Sequence, residues 1–451
     1  MKVQYRNLSK VDREATYAGL YMRYLLKKHG LEITEDAKII LCTVSDPDAY
    51  KALRRTRKKN KNAIIIVGGA ESYMGEWMTT YADYVVAGKG ERFIEMLAKH
   101  QEIPVDLPEV YTADSVFKKY CYPYEDNNIQ EYPVIKTGKN SAYAVMGFGC
   151  QGKCTFCVTG WVQPHRTISD EKVMSVIRST KKNIGNNARI TFVTNDYSQF
   201  RFGEHINAQS VRVADMIKYN KNGVSWKDML PKSKFSLMHI GVEGISEEMR
   251  KRFGKPVRNR DIRYILEILE KYDRQCQLFF ISGVPGDGDI SEIEDMFPST
   301  RKLSPNIYLK FTGFQPSPHT PMWGIPYTAV HPFTHQYVKN WRQSFAPFHN
   351  RRVRLFFTRS PVKEIWRGII KSSYPGEAEI IGPPPDANLG IEEYYEELEK
   401  KGVGHTIEIH KNQKERGFAN SHIVTPYRKS VIRGSTKWGY PIHLREFKDQ
   451  R

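Results

Sequence analysis

Apolar positions in the first hundred residues alternate between helical and strand-like spacing. Apolar residues at i, i+3 and i+4 predict an amphipathic helix that begins near Tyr17 and ends before Gly30, and a basic helix is predicted over residues 50–62. Short apolar runs rich in β-branched residues predict buried strands, over residues 38–43, 63–67 and 83–87. Buried strands that alternate with helices are typical of a parallel sheet covered on both faces. The pattern therefore predicts an α/β, doubly wound N-terminal domain.

The same alternation returns after a stretch that contains prolines. Residues 103–139 show no sustained period, which indicates a linker with irregular structure. From Ser141 onwards helical patterns separate further strand candidates, over residues 142–146, 189–193, 237–242, 277–281 and 306–311. This repeat predicts a full or partial (β/α) barrel.

The remainder of the chain mixes aromatic residues, prolines and charges. Residues 391–401 alternate Glu and Tyr and predict an acidic, solvent-exposed helix. We expect three parts: a doubly wound, Rossmann-type domain and its linker over 1–130, a barrel over 140–330, and a small mixed accessory region, basic and aromatic, over 331–451.

Composition and the length of apolar runs limit the class of protein. Of the 451 residues, 40% are hydrophobic and 26% are charged, which excludes a disordered chain, a collagen and a disulfide scaffold. The apolar runs are far shorter than the roughly 20 residues that cross a membrane, and the first residues lack the apolar core of a signal peptide. We therefore expect a soluble, cytoplasmic protein without a membrane partner.

A large excess of positive charge is the unusual feature of the composition. The 69 Lys and Arg against 50 Asp and Glu give a formal net charge of +19. Such an excess favours binding to polyanions, through the field of the protein and through counterion release. Basic residues are dense over 51–61 and over 421–451, where Tyr427, Trp438 and Tyr440 lie among them. A nucleic-acid partner (DNA or tRNA) and an ordinary basic enzyme surface both fit this pattern.

Three of the six cysteines, Cys150, Cys154 and Cys157, lie within eight residues. In a chain without a secretion signal we expect reduced thiols. Three thiolates this close in sequence can hold three corners of one iron–sulfur cubane and leave the fourth iron open. Zinc is one alternative, but structural zinc normally takes four ligands, usually in two spaced pairs. A purely structural role, with the three cysteines packed as small buried side chains, is a weaker alternative beside two glycines. The spacing therefore favours an iron–sulfur cluster.

The Cys-x3-Cys-x2-Cys spacing, with Phe156 before the last cysteine, resembles the signature of the radical S-adenosylmethionine (SAM) superfamily. The resemblance implies a [4Fe–4S] cluster on Cys150, Cys154 and Cys157, with SAM chelated to the open iron. It also implies an external electron donor, because reduction of the cluster cleaves SAM and releases a 5′-deoxyadenosyl radical.

Three later stretches are similar to SAM-contacting stretches of that superfamily. They are residues 241–246 (GVEGIS), 281–287 (ISGVPGD) and 315–321 (QPSPHTP). The resemblance implies SAM contacts by Glu243, Gly283, Pro285 and the backbone near Phe156. Gly244 and His319 stand where the family has serine and glycine.

Two further sets of residues are expected at the mouth of the barrel. The family's Gly-Gly-Glu stretch, which holds the SAM amino group, is not recognisable, and Asn195 and Asp196 are the candidates for its role. His319 and Tyr197 are the candidate catalytic residues, because active sites of this architecture gather at that mouth. An ordinary loop histidine is the alternative for His319.

The N-terminal domain resembles the B12-binding domain that precedes many radical SAM enzymes. The resemblance rests on Gly19-Leu20, the strand and turn over 64–69 and the stretch over 83–91. It makes cobalamin a candidate cofactor. No Asp-x-His-x-x-Gly stretch supplies a cobalt-ligating histidine, so a vestigial scaffold remains the alternative. The similar methylthiotransferases carry three N-terminal cysteines, whereas only Cys42 and Cys121 precede the motif here.

These observations leave two enzyme classes open. The first is a radical SAM enzyme that methylates or rearranges a nucleic-acid base, in DNA or tRNA, as a transferase or isomerase. The second acts on a small molecule or peptide of a specialised pathway. A non-catalytic iron–sulfur or zinc protein is disfavoured by the SAM-type stretches after three strands.

Overall fold

The computed structural model describes two sheet regions and the helices that cover them. The described residues are 1–8, 16–73, 77–88, 90–107, 109–114, 129–152, 154–162, 165–194, 210–213, 237–282, 284, 291–297, 307–315, 317, 320–322, 353–357, 361–373 and 376–403.

The N-terminal part alternates strands and helices. Its elements are β1 (Lys2–Asn7), α1 (Tyr17–Lys28), β2 (Glu32–Ile33), β3 (Ile39–Thr43), α2 (Tyr50–Lys59), β4 (Ile64–Gly68), β5 (Tyr84–Val86), α3 (Glu91–His100) and β6 (Val110–Tyr111). The six strands form one sheet in the order β2-β1-β3-β4-β5-β6, parallel except for β6. Helices α1 and α3 pack on one face and α2 on the other, so the sheet is doubly wound as predicted.

Strand β1 was not expected from the sequence. Its residues Lys-Val-Gln-Tyr-Arg-Asn mix polar and apolar side chains, so no continuous apolar run indicates a buried strand. It nevertheless lies between β2 and β3, with Val3 and Tyr5 buried under α1 and α3. Gln4 is also buried, and its amide donates a hydrogen bond to Glu35.

The second part again alternates strands and helices. Its elements are β7 (Ile135–Gly138), β8 (Ser141–Val145), β9 (Gly147–Phe148), α4 (Thr159–Val162), β10 (Arg166–Thr167), α5 (Asp170–Ile184), β11 (Arg189–Val193), β12 (Ser210–Arg212), β13 (Leu237–Glu243), α6 (Glu247–Arg252), α7 (Asn259–Lys271), β14 (Gln275–Ser282), α8 (Ser291–Glu294), β15 (Ile307–Gly313) and β16 (Val353–Phe357). Helix α5 shows how the sequence sets such bounds: the Ser169 hydroxyl caps its start by accepting from the N–H of Lys172, and Gly185 ends it.

The strands of this part form two main sheets that share one core. The order is β11-β8-β7 in the first and β12-β13-β14-β15-β16 in the second, where all neighbours are parallel. Ala144 and Phe192 of the first sheet belong to the same hydrophobic cluster as Ile240, Leu278 and Leu309 of the second. No closed barrel forms within the described residues. The open sheets agree with the predicted partial (β/α) barrel and not with a full one.

Three C-terminal helices pack on the N-terminal sheet beside α2. They are α9 (Pro361–Ser372), α10 (Glu377–Ile381) and α11 (Ile391–Lys400). The prediction that α11 is solvent-exposed is confirmed for its acidic face only, because Tyr394, Tyr395 and Leu398 share the opposite helix face and are buried in this core. The division at residues 130 and 330 stays a prediction, but β16 extends the second sheet and α9–α11 complete the N-terminal core. No helix in the described ranges is long and apolar enough to cross a membrane.

Candidate functional site

The three closely spaced cysteines lie in the loop that follows β8 and β9. Cys154 is buried, whereas Cys150 and Cys157 are half-buried. The loop turns sharply, because the N–H of Cys157 donates to the carbonyl oxygen of Cys154 at 3.1 Å and the N–H of Gly152 donates to Cys150 Sγ at 3.3 Å. The three thiols are thereby held on one short segment, the cysteine loop (residues 150–157).

Hydrogen bonds tie the cysteine loop to two later segments. The backbone N–H of Thr155 donates to the carbonyl oxygen of Phe253 at 3.1 Å, and its hydroxyl donates to that of Arg252 at 2.9 Å. The carbonyl oxygen of Thr155 accepts from the N–H of Met322 at 3.1 Å, in the segment after β15. The end of α6 and the segment after β15 therefore fix the position of the cysteine loop.

The donor chemistry of the cysteine loop fits a thiolate-ligated cluster. Burial raises the pKa of the Cys154 thiol to about 11, which the Lys255 ammonium opposes and the nearby Cys157 and Cys150 reinforce. Three thiols on one loop of eight residues are the donor set that a thiolate-ligated iron–sulfur cluster requires. Over the described ranges no group of three or more His, Cys, Asp or Glu side chains is arranged to hold a metal ion.

Glu243 and Lys255 form a buried ion pair beside the cysteine loop. Lys255 Nζ lies 2.6 Å from Glu243 Oε1, and the two side chains are only 13% and 15% exposed. Burial alone would lower the pKa of Lys255, but Glu243 and Cys154 hold it above its usual value. The same ammonium lies 6.0 Å from the ring centre of Phe156, which packs edge-on against Phe253 at 5.2 Å. Lys255 therefore links the predicted residues Glu243 and Phe156 to Cys154.

Two glycines make room for this arrangement. A Cβ on Gly241 would lie 2.5 Å from Glu243 Oε1 and 2.9 Å from Lys255 Nζ, so the ion pair occupies the space above that glycine. A Cβ on Gly244 would lie 2.7 Å from the backbone nitrogen of Arg250. The serine that the family carries at position 244 therefore does not fit this turn.

Sequence reasoning missed Lys255 and Arg250. Arg250 is fully buried and donates to the carbonyl oxygens of Gly244, Ile245 and Val257 at 2.7–3.0 Å, which fixes the turn after Glu243. Both residues belong to a run of cations over residues 250–260 that resembles a solvated helix face. The one signal in the sequence was that this run follows shortly after the SAM-type stretch over residues 241–246.

A cavity of about 820 Å³ opens beside the cysteine loop. Phe156 of that loop lines one wall, and the half-buried face of β14 and β15 lines another, with Gln277, Tyr308 and Lys310. Glu364 and Arg367 of α9 lie at its edge, where Arg367 bridges Glu364 and Asp48 at 2.6 Å each. The cavity is large enough for a cofactor and a small substrate group.

Six predicted site residues lie outside the described residues. They are His319, Tyr197, Asn195, Asp196, Gly283 and Pro285. The structure brings together the other five, Cys150, Cys154, Cys157, Phe156 and Glu243.

The resemblance of the N-terminal domain made cobalamin a candidate cofactor, and the loops at the carboxyl edge of its sheet are the place to test the fit. Its described loops place Asp48 against Arg367 of α9, and Glu71 fully buried with neither carboxylate oxygen hydrogen-bonded. The described residues of this edge include no histidine. They therefore supply no imidazole ligand for the cobalt of a bound cobalamin.

Comparison with known proteins gives a family match and distant relatives. The model of the radical SAM superfamily matches residues 144–297. An uncharacterized protein of Methanocaldococcus jannaschii is 26% identical over 302 residues, which cover 60% of this chain and 64% of that protein. The tRNA-2-methylthio-N(6)-dimethylallyladenosine synthase of Aquifex aeolicus is 29% identical over 154 residues, covering 30% and 33%. This chain thus spans less than two thirds of the length of either relative.

Two solved structures of one protein share the fold. The radical S-adenosylmethionine methyltransferase TsrM from Kitasatospora setae, solved with a tryptophan substrate and a SAM analogue, matches with a TM-score of 0.51 at 14% identity over 71% of this chain and 75% of that chain. The same protein with cobalamin and a [4Fe–4S] cluster matches with a TM-score of 0.50 at 13% identity, over 71% and 73%. At such identities the likeness extends to the fold alone.

Proposed function

We propose that this chain is an enzyme that cleaves SAM to modify a base of a nucleic acid, with tRNA as the first candidate. The proposal is supported by the match of residues 144–297 to the radical SAM superfamily, which the cysteine motif predicted. The observation that carries the proposal is the cysteine loop, which is hydrogen-bonded into place beside the Glu243–Lys255 pair and the cavity.

Each part of the site has a role in this proposal. Cys150, Cys154 and Cys157 hold the [4Fe–4S] cluster, which supplies the electron for SAM cleavage once an external donor has reduced it. Glu243 and Lys255 offer a carboxylate and an ammonium to the polar groups of SAM. Phe156 forms part of the wall of the cavity beside the cysteine loop. From the family resemblance, Gly283, Pro285, Asn195 and Asp196 also contact SAM, and His319 and Tyr197 face the substrate.

A nucleic-acid substrate is supported by the charge of the chain and by helix α2. Lys51, Arg55, Lys58 and Lys59 are exposed on α2, whereas Arg54 and Arg57 are held in ion pairs with other parts of the chain. Exposed cations at i, i+4, i+7 and i+8 form one stripe that suits a phosphate backbone. The Aquifex relative acts, by its name, on a tRNA adenosine.

A small aromatic substrate is the second candidate. It is favoured by the fold that this chain shares with a methyltransferase solved with a tryptophan substrate. It is also favoured by the cavity of about 820 Å³, which a small molecule can enter directly, whereas a nucleic-acid base would first have to flip out of its stack. In this candidate the N-terminal domain binds cobalamin without a histidine on cobalt and the reaction is methyl transfer.

The two candidates separate in one assay. The anaerobically reconstituted protein is given SAM and a strong reductant, alone or with bulk tRNA, duplex DNA or tryptophan. 5′-Deoxyadenosine, S-adenosylhomocysteine and the masses of digested nucleosides are measured. We expect bulk tRNA to stimulate SAM cleavage and to yield a nucleoside of changed mass. Stimulation by tryptophan alone, without any change in tRNA or DNA, would reject the nucleic-acid proposal. S-adenosylhomocysteine beside 5′-deoxyadenosine would indicate methyl transfer.

A further inference from the structure

The inner face of strands β13–β15 is polar and aromatic. Along β13 buried residues such as Ile240 alternate with half-buried ones such as His239, and β15 repeats the pattern. The buried set joins the core, whereas the half-buried set includes Gln277, Tyr308 and Lys310, which line the cavity. A face of this kind is suited to binding a ligand, because an aliphatic face would be filled by packing.

Lys310 lies in the middle of this face. The β15 register places it beside Phe279 on one side and Phe356 on the other. Its Nζ lies 5.3 Å from the ring centre of Phe279, and that ring packs edge-on against His239 at 5.4 Å. Burial lowers the pKa of His239, and the charge of Lys310 lowers it further.

The carboxylate among the described residues that line the cavity, and the carboxylate beside the cysteine loop, are each paired with another cation. Glu243 is bound by Lys255 at 2.6 Å, and Glu364 is bound by Arg367 at 2.6 Å and accepts a hydrogen bond from Gln315. Lys310 is not among the charges that act on Glu364. Over the described residues Lys310 forms no ion pair, so a half-buried ammonium faces the cavity without an anionic partner.

An exposed aromatic ring stands next to this cation. Phe356 is 46% exposed although it lies on a strand of the sheet, and its ring centre is 5.8 Å from that of Tyr308. Both residues line the cavity. An apolar ring left open inside a cavity offers a stacking surface to a planar group.

We propose that Lys310, Phe356 and Tyr308 form a substrate subsite for a planar aromatic group that carries an anionic oxygen group, with the anion on Lys310. The inference rests on the proposed function, since it assigns this end of the cavity to the substrate and the end beside the cysteine loop to SAM. A nucleotide phosphate and a carboxylate share the required chemistry.

Matched ligand pairs test the subsite without turnover. The reconstituted enzyme, saturated with S-adenosylhomocysteine, is titrated calorimetrically with adenosine 5′-monophosphate and adenosine, and with benzoate and benzyl alcohol. We expect the anionic member of at least one pair to bind more tightly than its neutral partner. Lys310→Met should lower the ratio of the two affinities by about tenfold to a hundredfold. Preference for the monophosphate identifies a phosphate, and preference for benzoate a carboxylate.

Two further variants complete the test. Lys310→Arg should keep most of the preference, because the charge remains. Lys271→Met is the matched control: Lys271 also lies over an aromatic ring, 5.7 Å from that of Tyr272, but it is exposed on α7. Equal binding within both pairs by the wild type would overturn the inference. So would a Lys310→Met variant that loses affinity for SAM and keeps its anion preference.

The readout also separates this inference from the proposed function. An anion preference that depends on Lys310 in a protein that cleaves no SAM would leave the subsite in place and reject the enzyme proposal. SAM cleavage with no anion preference would reject the subsite alone.

Discussion

Glu243 holds its backbone at φ +73°, in the left-handed region that residues other than glycine rarely adopt. Such a conformation costs on the order of 1 kcal/mol and persists when its surroundings hold it. Here the turn is held by Arg250, and the carboxylate reaches Lys255 across Gly241. The strained backbone of Glu243 at the end of β13 therefore brings its carboxylate within reach of Lys255.

Lys255→Met should destabilise the cluster-free protein by about 3–5 kcal/mol, because it leaves the buried Glu243 carboxylate without its counter-ion. The double variant with Glu243→Gln should lose less than the two single variants together. Chemical denaturation measures both effects. As the control, Glu396→Gln breaks an exposed pair with Lys400 and should stay within about 0.5 kcal/mol of wild type. If Glu396→Gln and Lys255→Met lowered the free energy of unfolding equally, the Glu243–Lys255 pair would matter no more for stability than an exposed pair.

Gly244→Ser restores the residue of the family motif and should nevertheless destabilise the protein by about 1–3 kcal/mol, because backbone atoms of Met249 and Arg250 occupy the place of the Cβ. Gly68→Ala is the control, since a Cβ there would meet Val86 only at ordinary contact distance, 3.7 Å. Thermal unfolding of the two variants provides the comparison. A neutral Gly244→Ser would show that the turn after Glu243 is wider than described.

At the residue scale the sequence predicted what a local motif can carry. Cys150, Cys154, Cys157 and Glu243 stand in recognisable stretches, and the structure brings them together. Lys255 and Lys310 could not be predicted, because their importance comes from partners on other strands and from burial. The sequence does not distinguish a lysine that faces a cavity from one that faces solvent. This holds for Lys310 in a strand and for Lys255 in a basic run.

Helices α9–α11 act as part of the N-terminal domain although some 250 residues separate them from its sheet. Trp366 is fully buried, with its ring centre 5.9 Å from that of Tyr50. The Tyr50 hydroxyl donates to the carbonyl oxygen of Ala378 at 2.6 Å, and Arg54 binds Glu379 at 2.6 Å. The N-terminal sheet therefore depends on the C-terminal helices for one covered face.

Trp366→Ala should lower the free energy of unfolding by about 3–5 kcal/mol and loosen the N-terminal sheet, because it opens a cavity between α9 and α2. Amide hydrogen exchange of β3 and β4 reports the local effect, which should exceed that in β13–β15. Ile380→Ala, on the exposed side of α10 at 48% exposure, should change little. Unaltered exchange in β3 and β4 would contradict the shared core.

Charge reversal of the α2 stripe (Lys51, Arg55, Lys58 and Lys59 to Glu) should weaken binding of bulk tRNA. It should also reduce the slope of log affinity against log salt, by about one unit for each phosphate that the protein no longer neutralises. The matched control reverses four exposed or nearly exposed cations elsewhere, Lys27 and Lys28 of α1 with Arg178 and Lys182 of α5. Fluorescence anisotropy across a salt series measures both. Equal losses of affinity in the two quadruple variants would point to net charge rather than to α2.

At the element scale the prediction succeeded where apolar runs are continuous. Strands β3, β4, β11 and β13 were placed within one or two residues, because buried parallel strands consist of such runs. Strand β1 and the buried face of α11 were missed, because polar residues interrupt both patterns. Their burial is imposed by neighbours that are distant in sequence.

The stability of the whole molecule should depend on pH through Glu71. Burial raises the pKa of Glu71 to about 7, against the opposing effect of the Lys371 charge. Because the pKa is higher in the folded state than in the unfolded state, the native protein binds the extra proton. The stabilisation is complete below pH 4.5 and is lost as the pH rises toward 7, by about 3 kcal/mol in total.

Glu71→Gln should remove that component, so the free energy of unfolding should fall less between pH 5 and pH 7.5 than in the wild type. Glu95→Gln, an exposed position on α3, serves as the control and should keep the wild-type slope. Urea denaturation at the two pH values gives the comparison. Identical slopes for wild type and Glu71→Gln would contradict the assignment.

The chain joins a region that matches the radical SAM superfamily to an N-terminal doubly wound sheet, on which the C-terminal helices α9–α11 pack. In the proposed function the cysteine loop holds the [4Fe–4S] cluster at which SAM is cleaved. Iron, sulfide and 5′-deoxyadenosine are measured for the anaerobically reconstituted wild type and for Cys154→Ala, with Cys276→Ala as a buried-cysteine control. We expect about four iron atoms per chain and 5′-deoxyadenosine in the wild type and the control, and loss of both in Cys154→Ala. Zinc in place of iron, or 5′-deoxyadenosine formed equally by Cys154→Ala, would contradict the proposed function.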